Sequence, residues 1–501
     1  MEDSRIAMNP SKIVKYLEKP SEEFTKKDLI KFIENNGIEA VNFRYVGSDG
    51  RLKTLNIMIH SKGQLDRVLS KGERVDGSSL FSYIDAATSD LYVIPRYRTA
   101  FVNPFATVPT LDILCSYYTT KGEPLASAPE NILRKAQDSL QRSTGFTLEA
   151  MGELEYYVFS EKDRLFPTTE QRGYHESSPF CKWEDLRHEA MRTIVQAGGK
   201  IKYGHSEVGF IDDEEYDMEQ SEIEFTSVPI QDAADQLVVA KWILRKIAHR
   251  HGVHLSFAPK ILVGHAGSGL HIHTMLVKDG KNMMVDKNGL SDTAKKAIAG
   301  YLKLASSLTA FGNTVPTSFF RLVPHQEAPT NVCWGDRNRS VLVRVPLGWL
   351  NVSDMAKDAN PLESEEAVQF ANNQTVEFRC PDGSANVYLL MAGLAVAARH
   401  GLTMEGALEL AQRLYVDVNI FDHAHREVQQ NLPQLPTSCW ESASSLLKDR
   451  EIYELDDVFT PAAVDGLANI LKSYNDKDLS ERSFGKRDEI RKLVEMYLHC
   501  G

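Results

Sequence analysis

Cysteine is scarce in this chain, six among 501 residues, and no two of them stand in a CxxC or similarly close spacing. Neither a structural zinc cluster nor a disulfide framework is suggested, and a reducing compartment fits best. Positive charge is also short, since 57 Lys and Arg against 69 Asp and Glu leave a formal net charge of −12. That argues against a nucleic-acid or membrane-surface binder built on bulk positive charge, so any anionic ligand must be held locally. The longest uncharged apolar run, Val387 to Ala398, is too short to cross a bilayer, and Met-Glu-Asp-Ser-Arg at the start is no secretory signal. A soluble, cytoplasmic protein is expected. Three signature loops are missing as well: GxGxxG for dinucleotides, GxxxxGK[ST] for phosphates and the GxSxG nucleophile elbow. A nucleotide must therefore be held by another architecture.

What is present is an ordinary globular composition, 42% hydrophobic and 25% charged, in a chain too long for one hydrophobic core. Lys27 to Asn36 has helical spacing, and Ala40 to Tyr45 with Leu52 to Ile59 around Ser48-Asp49-Gly50 reads as a β-hairpin. Strands are expected at Leu91 to Pro95 and Thr110 to Tyr118. Ser127, Pro129 and Glu130 then supply the cap, first-turn proline and acid of a helix ending near Gly145. A small β-rich front domain is expected to end in the loop Thr119 to Leu125. Beyond it, strand-like runs (Gly152 to Phe159, Ser221 to Pro229, Ser268 to Val277, Val341 to Pro346, Thr375 to Cys380) alternate with helical stretches such as Asp232 to His251 and Thr293 to Phe311. This is a large α+β unit with a helical, charged end from Gly401, and no repeat or long linker is found.

Four strands carry polar groups two residues apart: Glu153 and Glu155, Glu222 and Glu224, His271 and His273, Glu377 and Arg379. Period two puts each pair on one face of its strand. Any single pair reads equally well as the solvated face of a half-buried strand. If the faces converge, carboxylates about 4 Å apart repel by roughly 4 kcal/mol at an effective dielectric of 20, and protons or cations must compensate. Carboxylates with an imidazole and no thiolate suit Mg²⁺ or Mn²⁺ better than zinc. Arg321, Arg337, Arg339 and Arg344 form a second cluster, suited to a carboxylate substrate and a phosphoryl group or else to surface ion pairs.

In order along the chain, the motifs resemble those of the glutamine synthetases of the class I bacterial type. They are Asp76-Gly-Ser-Ser with Asp90, Glu153-Leu-Glu155, His-Ser-Glu207-Val, Gln220-Ser-Glu222, Gly267-Ser-Gly-Leu-His271-Ile-His273, Arg321-Leu-Val-Pro to Glu327, Asn338-Arg339-Ser340, and Glu377-Phe-Arg379-Cys-Pro-Asp382. The resemblance implies a β-grasp-like N-terminal domain over 1–120 and a catalytic domain over 121–501 with a curved antiparallel sheet, an open barrel flanked by helices. It implies two divalent ions, Mg²⁺ or Mn²⁺, one held by Glu155, Glu207 and Glu222 and the other by Glu153, His271 and Glu377. It further implies that Gly267, Arg321, Glu327, Arg339 and Arg379 contact the glutamate substrate, and that Phe225, His273, Arg339 and Arg344 lie at ATP. Asp76, Glu327 and Arg339 would be catalytic: glutamate is phosphorylated by ATP to γ-glutamyl phosphate, ammonium loses a proton to Asp76, and Glu327 closes a flap that excludes water. The family's Asp76 counterpart comes from a neighbouring subunit, so a homo-oligomer, typically a dodecamer, is implied.

The chain also departs from that pattern. Ile211 to Asp217 and Leu347 to Gln374 read as inserts, the second leaving no counterpart of an ATP-side lysine. Ala266 stands where asparagine is usual, His325-Gln326 where Gly-Tyr is usual, and Tyr415 only loosely matches a tyrosine modified in some members. Three other readings fit parts of the pattern: a γ-glutamyl ligase for a larger amine, a catalytically silent structural relative, and a two-metal phosphohydrolase, which leaves the DGSS loop and Glu327 without roles.

Overall fold

The computed structural model describes residues 5–84, 86–162, 165–287, 289–323, 328–348, 355–364, 373–483 and 486–501. Its front part opens with helices α1 (Lys12–Leu17) and α2 (Lys26–Asn35). Helix α2 is started by a capping box in which Thr25 and Asp28 satisfy each other's backbone N–H. Strands β1 (Ala40–Val46) and β2 (Leu52–Met58) form the expected hairpin, followed by helix α3 (Lys62–Lys71). With β3 (Glu73–Asp76), β4 (Asp90–Pro95), β5 (Phe101–Val102) and β6 (Thr110–Tyr118) they make a sheet of order β2-β1-β6-β4-β3, with β5 beside β6. Only β1 and β6 run parallel, and α1 to α3 bury Ile13, Leu29, Phe32 and Leu65 in this unit's own core.

Helix α4 (Pro129–Thr144) starts with Pro129 at its first turn and stops at Gly145, which adopts the left-handed conformation that a glycine takes most cheaply. The expected Ser127 cap is not formed. Ala128 occupies the cap position, the Ser127 carbonyl accepts from Tyr83 Oη, and Glu130 turns back to accept from the Tyr117 N–H at 2.8 Å.

The second sheet is built from β7 (Thr147–Glu161), β8 (Ile201–Asp212), β9 (Tyr216–Phe225), β10 (Val228–Pro229), β11 (His254–Ser256), β12 (Leu270–Lys278) and β13 (Lys281–Asn282). After the small pair β14 (Val285–Asp286) and β15 (Gly289–Leu290) come β16 (Trp334–Asp336), β17 (Val343–Val345) and β18 (Val376–Phe378). Their order is β16-β17-β18-β12-β7-β9-β8, antiparallel except between β16 and β17. The expected antiparallel sheet is thus mixed at one edge. Helices α5 (Glu184–Gln196) and α6 (Ile230–Arg250) flank it, and α7 (Asp292–Lys303) and α8 (Ala305–Gly312) replace the single helix read over Thr293 to Phe311. Short helices α9 (Ser318–Arg321) and α10 (Met355–Ala359) follow, and the apolar run from Val387 becomes a core helix, α11 (Val387–Thr403). Among the described residues no single helix is long and apolar enough to cross a membrane.

Gly152 fixes which face of the sheet is the core. An added Cβ there would lie 2.8 Å from Leu237 of α6, so Gly152 and Leu154 face that helix while Glu153 and Glu155 face the other way. The two sheets are tied by Arg96, which forks onto Asp235 of α6 at 2.6 and 2.8 Å, while Tyr388 Oη donates to the same carboxylate at 2.6 Å. A buried Arg44–Asp112 pair stacks against Trp242, with the guanidinium 4.4 Å from its ring.

Candidate active site

Strand register brings the four polar pairs together. Glu153 stands opposite His271 on one side and Glu224 on the other, Glu155 opposite Glu222, and Glu377 opposite both His273 and Arg344. On β8, His205 stands opposite Glu222 and Tyr203 opposite Glu224. All of them line one cavity of about 780 Å³ on the face away from α6. The predicted insert at 211–217 is only the end of the β8–β9 hairpin, where Asp213 N–H donates to the Tyr216 carbonyl, and it does not line the cavity. Of the second predicted insert, 355–364 carries α10 and the remainder lies largely outside the described residues.

Glu153, Glu155, Glu207, Glu222, His271 and Glu377 all line this cavity, as do Gly267, Arg321, Arg339, Arg344, Arg379 and His273. Three predicted residues do not join them. Phe225 is fully buried in the main core: Glu222 and Glu224 face the cavity, so period two turns the Phe225 side chain to the opposite face. Asp76 is exposed at the end of β3 and does not line the cavity of its own chain. Glu327 lies outside the described residues.

The hydrogen bonds fix most of these groups. Glu155 Oε2 accepts from the Gly269 N–H at 2.8 Å and from Gln220 Nε2 at 3.0 Å. Glu153 receives His271 Nδ1 on one oxygen at 2.9 Å and His273 Nε2 on the other at 2.8 Å. Because Arg321 can only donate, its contact at 3.2 Å makes His271 Nε2 an acceptor and leaves the ring hydrogen on Nδ1. Arg321 also donates to the carbonyls of Cys380, Pro381 and Arg379, which pins it behind Gly267. Glu377 is shared by Arg344 and Arg379, each at 2.9 Å. Arg379 further reaches the carbonyl of Arg339 and so ties the Asn338-Arg339-Ser340 loop to β18.

Charge is unevenly compensated. Burial opposes ionisation of Glu153, but the charge of His273 and the hydrogen bonds of His271 and His273 hold it well below the usual carboxylate range. Glu377 is likewise lowered, burial being outweighed first by Arg379. Glu222 is the opposite case: burial, then repulsion from Glu153, Glu155 and Glu207, drives its pKa well above the ordinary value. The carboxylate wall is thus short of positive charge beside Glu222, which a bound divalent cation would supply. Ligand atoms of Glu153, His273 and Glu377, of His205, Glu207 and Glu222, and of Glu153, Glu222 and Glu224 each lie within 4.8 Å of one another. Oxygen-rich sets of this kind fit a hard divalent ion.

The sequence reading did not assign roles to His205 and Glu224. His205 is two residues before Glu207, so the same period-two argument would have found it once Ile201–Asp212 was read as a strand. Tyr174 also lines the cavity, held there because the segment 171–175 runs beside β8: Gln171, Gly173 and His175 N–H groups donate to the carbonyls of Phe210, Val208 and Ser206. Glycine is required in that segment, since a Cβ on Gly173 would lie 2.6 Å from the Glu207 carbonyl oxygen.

Comparison with known proteins agrees with this geometry. The chain matches the glutamine synthetase catalytic-domain model over residues 126–473 and the glutamine synthetase β-grasp-domain model over residues 37–120. It is 30% identical over 439 residues to the glutamine synthetase of Clostridium saccharobutylicum, covering 86% of this chain and 90% of that one. The Thermococcus kodakarensis glutamine synthetase is 31% identical over 411 residues, covering 81% and 83%. In fold the chain resembles the Plasmodium falciparum glutamine synthetase seen by cryo-electron microscopy (TM-score 0.73, 20% identity, 90% and 96% covered). A GmaS chain in complex with ADP is similar to the same degree (TM-score 0.73, 20% identity, 93% and 99% covered). With both domain models matched in order and relatives at 30% identity spanning most of their length, the chain belongs to the glutamine synthetase family.

Proposed function

We propose that the protein is an ATP-dependent, ADP-forming ligase that condenses L-glutamate with ammonia to L-glutamine through γ-glutamyl phosphate. The observation that supports this best is that arginines and carboxylates line the same cavity. Arg321, Arg339, Arg344 and Arg379 line it together with Glu153, Glu155, Glu207 and Glu222. Arginines suit two anionic reactants, a carboxylate substrate and a polyphosphate, which would repel each other unless held. The carboxylate wall suits Mg²⁺ or Mn²⁺, with Glu155, Glu207 and Glu222 holding one ion and Glu153, His271 and Glu377 the other; His205 and His273 stand beside them. Bound there, the ions would neutralise charge on the transferring phosphoryl group.

In this reading Arg321, fixed by three carbonyls behind Gly267, binds the substrate α-carboxylate, and Arg339 and Arg379 face the γ-carboxylate and phosphate. Arg344 contacts ATP phosphates, and His273, bonded through Nδ1 to Thr375 Oγ1, lies on the nucleotide side. Asp76 acts from a neighbouring copy in a cytoplasmic homo-oligomer, a dodecamer by resemblance. Hydrogen bonds from Ser79 and Ser78 hold Asp76 well below the usual carboxylate range. It therefore attracts ammonium as an anion, and accepting the ammonium proton requires loosening those serine contacts. Glu327, placed by its motif, closes the flap. The chain is read as two domains, 1–120 and 121–501.

A second reading, ligation to a larger amine, is favoured by the rings beside the carboxylate wall. Tyr174 stacks on His175 at 4.2 Å, and His175 lies 4.4 Å from His205. ADP release from Mg-ATP and L-glutamate, with ammonium or with a panel of alkylamines and mass analysis of product, tests both. Ammonium-dependent release with stoichiometric glutamine is expected. Release only with a larger amine moves the assignment to the second reading, and no release with any amine from metal-loaded protein overturns both.

A further inference from the structure

The loop 257–269, between β11 and β12, brings Ala266 and Gly267 to the cavity. Its course is set at three carbonyls. That of Ala266 accepts from Tyr157 Oη at 2.9 Å, that of His265 from the buried Lys260 Nζ at 2.6 Å, and that of Pro259 from the Ser268 N–H at 3.1 Å. Tyr157 belongs to the strand that carries the metal-side carboxylates. Glu153 and Glu155 face the cavity from β7, and the next residues of the same parity, Tyr157 and Phe159, carry buried rings. With Met218 of β9 and Ile261 of the loop they form a small hydrophobic cluster, separate from the main core.

The partners of that cluster come from far along the chain. Leu498 and Cys500, just past the helix Arg487–Tyr497, pack against it. The catalytic-domain match ends at residue 473, so it accounts for neither of them. Polar contacts fix the same segment. Ser256 Oγ donates to the Leu498 carbonyl and accepts from the Ala258 N–H at 3.0 Å, so one hydroxyl joins the segment to the start of the loop. Arg245 Nη2 donates to the Cys500 carbonyl at 2.9 Å, and Arg51 to that of His499. Gly501 lies so near Gly383 that a Cβ would stand 1.9 Å from the Gly383 carbonyl oxygen, and a Cβ on Gly383 would stand 2.3 Å from that of Phe257. The strands beneath have ladders of their own: β7 pairs with β9 and with β12 over most of its length. Loss of residues 498–501 would therefore loosen the loop before it opens the sheet.

We propose that residues 498–501 are a positioning segment for the cavity. By packing against the Tyr157 cluster and sharing Ser256 with the loop, they hold 257–269 in the course that sets Gly267 against Arg321, where the functional reading puts glutamate. The kinetic consequence rests on that reading, and the positioning rests on the contacts alone.

Amide hydrogen exchange and steady-state kinetics, on the chain with residues 498–501 deleted and on Leu498→Ala, test the proposal. Exchange over 257–269 is expected to rise while β7 and β9 stay protected. The KM for glutamate should rise about tenfold, since a small misplacement made far from the chemistry is costly, with the KM for ATP nearly unchanged. Leu498→Met keeps the apolar volume and should restore the parental values. Met496→Ala, exposed on the preceding helix, is the control and should behave as the parent does. Should the deleted chain fail to fold, Leu498→Ala carries both measurements. Unchanged exchange over 257–269, or an equal rise in both Michaelis constants, overturns the proposal. If the parent itself turns over no glutamate, the functional reading has failed, and exchange over 257–269 alone decides the positioning.

Discussion

Glu222 combines burial with repulsion from Glu153, Glu155 and Glu207, and these make it the most informative single residue to change. In Glu222→Gln the shape is kept and the repulsion is removed. Mn²⁺ affinity is therefore expected to fall at least tenfold by calorimetry, while the thermal midpoint without metal stays level or rises. Unchanged affinity would refute the ligand assignment. Gly267 makes a second residue-scale case, because a Cβ there would lie 2.3 Å from the Pro259 carbonyl oxygen and 2.9 Å from Arg321 Cγ. The first neighbour is backbone and cannot swing aside. Gly267→Ala should cost about 1–3 kcal/mol of stability, as overpacking does, and should raise the KM for glutamate while leaving that for ATP nearly unchanged. Equal effects on both Michaelis constants would count against Arg321 as the glutamate contact. At this scale the sequence was a good guide, since the polar pairs at spacing two carry their direction with them. The Phe225 side chain, one residue out of step with Glu222 and Glu224, points into the core instead, a direction that follows from the same parity.

Elements were legible where pattern and turn chemistry agree, as in the hairpin of β1 and β2 and in α6. They were illegible where contacts from elsewhere decide. Helix α7 ends at Lys303 rather than running on to Phe311. Its Gly300 lies against α11 so closely that a Cβ would stand 2.0 Å from the Ala397 carbonyl oxygen, a constraint no local spacing reveals. Strand β8 was not read as a strand because it lies at the sheet edge, half-exposed and interrupted by register shifts, so clean alternation is absent. The start of α4 shows the same thing energetically. Glu130 was read as a first-turn acid, but it is drawn onto the Tyr117 N–H of β6, and burial pushes its carboxyl up to about 7 from 4.5. A carboxyl raised in the folded state holds its proton more tightly there than in the unfolded chain. Its contribution to stability is complete below about 4.5 and is lost as pH rises through about 7. Glu130→Gln keeps an acceptor for Tyr117 and cannot ionise. Urea unfolding is therefore expected to show the variant gaining stability relative to the parent between pH 5 and pH 8. A constant difference across that range would place Glu130 in an environment that tolerates its charge.

At the scale of the whole molecule, the decisive fact is a separation. Asp76 stands exposed at the end of β3, tied to Ser78 and Ser79, and is not among the residues that line the cavity of its own chain. In the proposed function Asp76 is supplied by a second copy that turns its front sheet toward the first copy's large sheet, a head-to-tail contact of the kind that closes rings. The two halves of such a site sit on different chains, and this has a consequence that a self-contained subunit could not produce. Asp76→Ala chains would lack the group that handles ammonium, and Glu222→Gln chains would lack the metal wall, so each assembly alone should be nearly inactive. If the two are dissociated, mixed in equal amounts and reassembled, about a quarter of the interfaces pair an intact Asp76 with an intact Glu222. Glutamine formation near a quarter of the parental rate is the expected result. Activity no higher than the sum of the separate variants, in a mixture shown by native mass spectrometry to contain both chains, would mean that each chain completes its own site and that Asp76 has another role.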